Sequence, residues 1–523
     1  MIIKILQLSF FLLISAYAQD FKIASYNVEN LFDLNNDGTE YKEYIPNDKS
    51  NWNRHTYTIK LKNISQVINE LDSDILALQE VESKRALTDL LKFTPQYKYS
   101  SFIKNKKSAI GLALISKYPI INTKRIQIKS SNPYARPIQK SDIKIKNKNI
   151  TVYNNHWPSK RASENARIEY ALSLQKYLSK NQPKNDYIIL GDFNSNYDEF
   201  RTFKQNKKLN NTYGITGINQ VLNTTVNKKF ITKSNILKFK DVVHYNLWLE
   251  KDYANRFSYK YKNSNNTPDN ILINSTLFDN KNISYVNNSF KTFKPNYLFK
   301  NNSIQRWVIK GKDRLHKGSG YSDHLPIYAL FSTKQKFKQL KDKKNNILDL
   351  SQLYDIENLA KASKIYNAIV IYKNRSNAII KQKNNRAVYI YKEAANLDLG
   401  KSYDLEISKI KTYNGLKEIA KINKSVYKND FADYKNLYLD ANRINILNFK
   451  YQNEILTQLQ GTYKKGYLYY KYNNKNEKIK LYSKDKSLLP KNGQKVNIMS
   501  GHLGFYMSKP QIIIYKESDY IVN

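Results

Sequence analysis

From residue 20 to about 332 the chain alternates short apolar runs of strand length with two stretches of helical period. The strand-like runs lie at 21–28, 74–80, 110–116, 143–153, 187–190, 271–273 and 327–331. Residues 56–71 carry Ile59, Ile64, Val67, Ile68 and Leu71 on one helical face, and a second helix fits 162–178. Strands that alternate with helices, while several strands also follow one another directly, predict an α/β sandwich of mixed sheets. At 523 residues with 41% hydrophobic content, the chain is long enough for that core and for further domains.

The pattern changes after a lysine-rich stretch. Residues 334–346 read as a solvated linker. From 347 onward short strands dominate, at 368–372, 378–380, 387–391, 403–410 and 417–422, and again at 462–470, 478–482, 495–498 and 511–515. Each set has a glycine step before a long strand, Gly400-Lys401 in one and Gly493-Gln494 in the other. The repetition predicts two small β domains, 347–435 and 436–523, as tandem OB-type barrels, with a single β-sandwich as the rival.

Lys4, the apolar run 5–15 and Ala16-Tyr17-Ala18 form a secretory signal pattern, so residues 1–18 are set aside and the first domain is expected over 19–333. The expected location is periplasmic or secreted. No later stretch is apolar and long enough to cross a bilayer, so no stable membrane insertion is expected. The chain has no cysteine, which rules out disulfides, thiol catalysis and thiolate metal sites. Any metal must be held by oxygen and imidazole, which favours Mg²⁺, Mn²⁺ or Ca²⁺. Lys+Arg total 87 against 44 Asp+Glu, a formal charge of +43 that attracts polyanions. Nucleic acid, anionic lipid and acidic glycans all fit that field.

The polar residues of the first domain gather where its strands end. Asn27 and Glu29 close the first run and Glu80 the second. Asn155-His156-Trp157-Pro158 follows 150–153, and Gly191-Asp192-Phe193-Asn194 follows 187–190. Asp269 precedes 271–273, and Ser322-Asp323-His324-Leu325-Pro326 precedes 327–331. Side chains at strand ends converge on one edge of an α/β sheet, where sites are built. Carboxylates can hold a hard cation and activate water, while imidazoles and amides donate to phosphate oxygens.

These segments resemble the endonuclease/exonuclease/phosphatase superfamily, which includes pancreatic-type deoxyribonuclease and the abasic-site endonucleases. Its motifs match Ser25-Tyr26-Asn27-Val28-Glu29-Asn30-Leu31, Leu78-Gln79-Glu80-Val81, Asn155-His156-Trp157-Pro158-Ser159, Gly191-Asp192-Phe193-Asn194 and Ser322-Asp323-His324-Leu325-Pro326, in the expected order. The resemblance implies a four-layer α/β sandwich of two mixed sheets. It implies Glu80 as main metal ligand with Asn27 and Asp323, Asp192 as orienter or base for the water, and Asn194 on the phosphate. His156 and His324 would stabilise the pentacovalent phosphate or protonate the leaving oxygen, with Asp269 orienting His324. Arg136 resembles the family's arginine near the phosphate.

Resemblance does not choose a substrate. The charge, the export signal and the appended β region favour a nuclease acting on DNA, and on RNA as a second substrate, with little sequence preference. Tyr467, Tyr469 and Lys471 belong to a tyrosine–lysine segment suited to stacking on bases and tracking phosphates, although tyrosines are also good strand formers. A phosphomonoesterase or sphingomyelinase-like phospholipase is the alternative, with Trp248 and Trp307 in loops as candidates for a lipid-facing surface. A non-catalytic polyanion-binding surface protein ranks last, because the acids and histidines are all present.

Overall fold

The protein is described by a computed structural model over residues 20–523, apart from 47–48, 182–185, 204–205, 207, 252–254, 262–263, 301–302, 335–347, 360 and 508. The expected signal segment 1–18 and nearly all of the expected linker 334–346 lie outside the described residues.

The first region runs β1 (Asp20–Leu31), α1 (Arg54–Leu71), β2 (Ile75–Val81), α2 (Lys84–Leu91), β3 (Tyr99–Ile103), β4 (Gly111–Ser116), β5 (Ile120–Ile126), β6 (Ile138–Ile145), β7 (Lys148–His156), α3 (Glu164–Asn181) and β8 (Tyr187–Asp192). It ends with β9 (Asp269–Ile273) and β10 (Ile327–Ser332). Asn53 caps α1, its side chain accepting from the N–H groups of His55 and Thr56, and Asp72 closes the helix in the left-handed conformation.

One sheet has the order β10-β1-β2-β4-β3, and β1 and β2 run parallel. The other has the order β9-β8-β7-β6-β5, and β7 and β8 run parallel. The sheets face each other across one core, with Ile23, Ile75 and Leu114 against Val152, Ile188, Leu190 and Ile271. Full burial of each such side chain contributes about 2 kcal/mol. Leu61, Ile64 and Leu87 of α1 and α2 cover the outer side of the first sheet over Ala24, Leu76 and Leu78. Leu174 and Leu178 of α3 cover the second over Tyr153 and Ile189. The order helix, sheet, sheet, helix is the four-layer sandwich expected. Both faces of β1 and β2 are buried, which is why these strands read as continuous apolar runs.

Two sequence readings need correction. The run 143–153 is a hairpin, because Ile145 and Lys148 pair across a two-residue turn in which Lys146 is left-handed (φ 56). Trp248 and Trp307 are buried, at 0% and 2% exposure, so neither offers a lipid-facing surface. Among the described residues no helix is long and apolar enough to cross a membrane.

The C-terminal region is all β. Strands β11 (Ser363–Asn374), β12 (Asn377–Lys381), β13 (Ala387–Ile390), β14 (Lys401–Tyr413) and β15 (Leu416–Asp430) close into a barrel of order β11-β12-β13-β15-β14, with β13 and β15 parallel. Next come β16 (Ile455–Thr457), β17 (Leu459–Lys464), β18 (Tyr467–Tyr472), β19 (Lys475–Tyr482), β20 (Lys495–Ile498), β21 (Gly501–Tyr506) and β22 (Lys509–Ile513). Gln458, left-handed at φ 62, alone separates β16 from β17, and β20 and β21 are likewise two parts of one bent strand. Strand β16 pairs with β21 and β17 with β20. The ladder continues from β17 through β18 and β19 to a parallel β22, then back to β21. With β16–β17 and β20–β21 each taken as one strand, the second unit follows the strand order of the first barrel, within a nine-stranded sheet.

The regions are joined by buried charge. Arg256 Nη1 lies 2.6 Å from Glu357 Oε1 and donates to the Tyr197 hydroxyl at 2.7 Å. Between the two β units, Lys381 Nζ meets Glu454 Oε2 at 2.6 Å.

Candidate active site

Local backbone irregularities aim the site. The β1–β2 register slips between Asn27 and Leu31 on one strand, and the β2–β4 register slips between Gln79 and Val81. At these bulges Glu29, Asn30 and Glu80 are left-handed, with φ of 51, 59 and 65. A bulge re-aims the side chain that follows, at about 1–3 kcal/mol for each strained residue. Here it turns Glu80 inward, where Asn27 Nδ2 donates to Oε1 at 3.0 Å and the Asn30 N–H to Oε2 at 2.9 Å.

On the other sheet, Gly191 has φ 127, and a Cβ there would stand 2.1 Å from the Asn155 carbonyl oxygen. Only glycine lets β7 and β8 approach this closely. Their register sets His156 directly opposite Asp192, and Asp269 of β9 pairs with Asp192 from the other side. Asn194, left-handed at φ 48, turns the chain so that its N–H donates to Asp192 Oδ1 at 2.8 Å and its Nδ2 to the Trp157 carbonyl at 3.0 Å.

Asp192 Oδ2 is the hub. It accepts from Asn27 Nδ2 at 3.0 Å and lies 3.7 Å from His156 Nε2 and 3.8 Å from His324 Nε2. His156 Nε2 is also 3.7 Å from Glu80 Oε1. His324 Nδ1 meets Asp269 Oδ2 at 2.8 Å, and the same oxygen accepts from the Ser258 hydroxyl at 2.5 Å. Burial, the nearby Asp269 and Glu80 raise the Asp192 carboxyl to about 7 against the pull of His324. Burial followed by Asp323 raises Glu80. Burial alone would lower His324, but Asp269 and Asp192 outweigh it and hold the ring well above the usual histidine range, as an imidazolium. Burial, then Arg136 and His324, drive His156 well below that range, so its ring is neutral.

The structure thus gathers Asn27, Glu80, His156, Asp192, Asn194, Asp269 and His324 in one cleft. Asp323 lies beside them, its Oδ1 3.8 Å from His324 Nε2 and its Oδ2 3.4 Å from Arg306 Nη2. In this geometry Asn27 acts as a clamp between two carboxylates, since its own Oδ1 accepts from the Glu29 N–H at 3.0 Å. Arg136 stands at the rim, with Nε and Nη2 donating to the carbonyls of His156 and Trp157 at 3.1 and 3.0 Å. Tyr467, Tyr469 and Lys471 are on the exposed face of β18 in the other region.

Sequence reading missed several supports. Ser258 holds Asp269, and the Tyr259 ring lies 5.0 Å from the His324 ring. Arg306 Nε donates to Glu29 Oε1 at 2.8 Å. Lys60, wholly buried, donates to the carbonyls of Glu29 and Tyr321 at 2.9 and 3.0 Å. Of these only Lys60 left a signal, because it occupies the apolar stripe of α1 together with Ile64 and Val67.

The donor set fits a hard divalent cation. Glu80, His156 and Asp192 present ligand atoms within 4.8 Å of one another, as do Asp192, Asp269 and His324. Asp269 and His324 are already engaged with each other, which leaves Glu80, His156 and Asp192 as the better group. A buried carboxylate, Asp192, beside a half-buried one, Glu80, is costly without a compensating charge. The buried Nδ1 of His156 also has no protein partner among the described residues.

The profile of the Endonuclease/Exonuclease/phosphatase family matches residues 22–333. No curated protein matches the chain. Among solved structures the chain is similar to truncated TDP2 of Caenorhabditis elegans, with 16% identity, a TM-score of 0.36, and 60% of this chain and 97% of that one covered. It is similar to an endonuclease/exonuclease/phosphatase family protein of Bacteroides thetaiotaomicron, with 14% identity, a TM-score of 0.37, and coverage of 61% and 99%. It is also similar to a mannosyl-6-phosphatase of Bacteroides thetaiotaomicron, with 15% identity, a TM-score of 0.36, and coverage of 59% and 98%. Likeness at this level does not bear on substrate. Through its matched segment and the site that segment builds, the chain belongs to the endonuclease/exonuclease/phosphatase family.

Proposed function

We propose that the chain is an exported, metal-dependent endonuclease that hydrolyses phosphodiester bonds of DNA, and of RNA as a second substrate, with little sequence preference. One observation carries the reading: Glu80, His156, Asp192, Asp269 and His324, brought from separate strand ends, form two groups that share Asp192, all but Glu80 buried, in a chain with a formal charge of +43. The charge draws in a polyanion, and the cleft supplies the chemistry.

A hard divalent cation (Mg²⁺, Mn²⁺ or Ca²⁺) held by Glu80, with Asn27 and Asp323 close by, would neutralise charge on the phosphoryl oxygens. Asp192 orients the attacking water and takes its proton. The imidazolium of His324, fixed by Asp269 and Ser258, offers Nε2–H to a phosphoryl or leaving oxygen. His156, neutral, faces the same carboxylates through Nε2. The second N–H of the Asn194 amide and the unused donors of Arg136 are available to phosphate oxygens. Both β units are OB-type in this reading, the first a closed five-stranded barrel and the second a nine-stranded sheet whose main strands follow the same order. The outward face of β18, with Tyr467, Tyr469 and Lys471, is a contact for the polymer. Residues 1–18 support export.

The test is supercoiled plasmid incubated with the purified chain and each divalent ion, with and without chelator. Nicking that needs the metal and disappears in Asp192→Asn is expected. Plasmid left intact with Mg²⁺, Mn²⁺ and Ca²⁺ alike sinks the proposal. A parallel panel of RNA, inositol phosphate and sphingomyelin assigns the substrate class, and release of phosphate from a monoester with plasmid intact would move the activity to a phosphomonoesterase. Tight retention of DNA without cleavage, unchanged in His324→Ala, would make it a polyanion-binding protein.

A further inference from the structure

A second surface lies where the two barrels meet. The β14–β15 hairpin turns at Asn414-Gly415, and the β21–β22 hairpin turns at Met507. The Met507 N–H donates to the Asn414 carbonyl at 2.8 Å, so the hairpins touch at their turns. Beside that contact opens a groove of about 680 Å³.

Both barrels line it with the same parts. Tyr391 follows β13 and Tyr482 ends β19, the third strand of each barrel. Tyr413 ends β14 and Tyr506 ends β21, the fourth strand of each. All four rings are exposed, at 36%, 40%, 57% and 45% in that order. Tyrosines are common in this chain, 43 in all, and strand propensity alone places many of them. It does not account for Tyr391, which lies beyond its strand, or for exposed rings recurring at matching strand ends.

Cations lie over the rings. Lys411 Nζ is 4.0 Å from the Tyr391 centroid and 5.6 Å from that of Tyr413, and Lys480 Nζ is 5.7 Å from that of Tyr482. Lys411 is fixed there by Glu418 at 2.9 Å. Lys480 has no ion pair among the described residues, so its charge is free to meet an anion.

Flat aromatic faces at intervals, with ammonium groups between them, are the requirements of a chain of bases on phosphates. In a duplex the base faces are covered by one another, so exposed rings select an unpaired strand. We propose that the inter-barrel groove binds a single-stranded stretch of nucleic acid, with bases on Tyr413, Tyr482 and Tyr506 and a phosphate on Lys480, while Lys411, held by Glu418, covers Tyr391. The choice of polymer rests on the nuclease reading, and the groove itself is independent of the catalytic cleft.

The probe is fluorescent oligothymidylate of about 20 nucleotides, longer than the roughly 4–16 that one OB barrel covers, with an abasic chain of equal length beside it. Binding is read by anisotropy on the intact chain in chelator. The paired change Tyr413→Ala with Tyr506→Ala is expected to raise the Kd for oligothymidylate at least about 5-fold, the low end for one lost stacking face. Tyr413→Phe with Tyr506→Phe, which keeps the rings, should restore it, and the abasic chain should bind weakly and ignore both pairs. If the alanine pair is misfolded by thermal melting, Lys480→Glu replaces it and should weaken oligothymidylate binding while lowering its salt dependence. Unchanged oligothymidylate affinity in every folded variant overturns the groove. An abasic chain or heparin that binds as tightly as oligothymidylate, with the same losses, overturns it in favour of a general polyanion patch. Intact plasmid with retained strand binding would sink the nuclease reading alone, and cleavage without strand binding would sink only the groove.

Discussion

In the α/β sandwich, like charges are buried together. Glu80, Asp192 and Asp269 crowd around two imidazoles, and Asp269 Oδ1 and His156 Nδ1 have no partner among the described residues. Away from the site, buried charge comes in opposite pairs, as with Glu164 and Arg167 within the sandwich itself. Lys381 meets Glu454, and Glu357 meets Arg256 from the sandwich. Burial would raise the Glu357 carboxyl, but Arg256, Lys417 and Arg201 together hold it at about 2. Paired charge can be structural. Gathered like charge lowers stability and persists where chemistry needs it. The contrast separates a site from a scaffold without reference to any relative.

The contrast breaks most visibly at Asp192. Asp192→Asn should cut metal-dependent turnover by about 10³- to 10⁴-fold and, by removing one of the crowded charges, raise the melting temperature. Glu454→Gln, its counterpart among the pairs, should lower the melting temperature and leave turnover unchanged. Two variants that both lose stability would mean that the carboxylates are structural in both regions. Asp269→Asn comes next, with turnover down about 10- to 100-fold, because His324 then loses the carboxylate that orients it and keeps it charged.

Glu357→Gln probes the join. It leaves Arg256 buried without its counter-charge, a cost of about 3–5 kcal/mol read by chemical denaturation. The sign follows from the folded value near 2 against an ordinary 4.5. The stabilisation is complete above about pH 4.5 and disappears as pH falls toward 2. The substituted protein should therefore lose less stability than the parent across that window, and an identical acid profile would remove Glu357 from the join.

How much of this was legible in sequence also divides by region. Strand-end motifs fixed the site because Asn27, Glu80, His156, Asp192 and His324 lie beside runs whose apolar period is plain. Ser258 and Arg306 escaped because they sit in irregular chain, and Tyr259 because its strand, Tyr259–Tyr261, is too short to show a period. The 143–153 turn was hidden because Ile145 and Ile150 face the same core from either side of it. In the C-terminal region the short strands could be read. The groove could not, since it depends on two hairpins, about 90 residues apart in the chain, meeting at Asn414 and Met507.

The smallest effect is expected on the outer face of β18. Tyr467 and Tyr469 are exposed there at 39% and 42%, no less than Tyr391 in the groove, so exposure does not rank the two surfaces. Enclosure does. The outer pair shares one cation, with Lys478 Nζ 5.2 and 5.9 Å from the two rings, and these rings belong to a single strand face. The hollow on the outer face, about 480 Å³, is lined by Tyr469 but not by Tyr467, whereas the groove of about 680 Å³ is lined by all four of its exposed tyrosines. Tyr467→Ala with Tyr469→Ala should therefore weaken oligothymidylate binding by no more than about 5-fold, the value of a single poorly covered stack, and by less than the groove pair. If the outer pair costs more, the polymer runs over the outer face of the second β unit, and the tyrosines between the units only pack the joint.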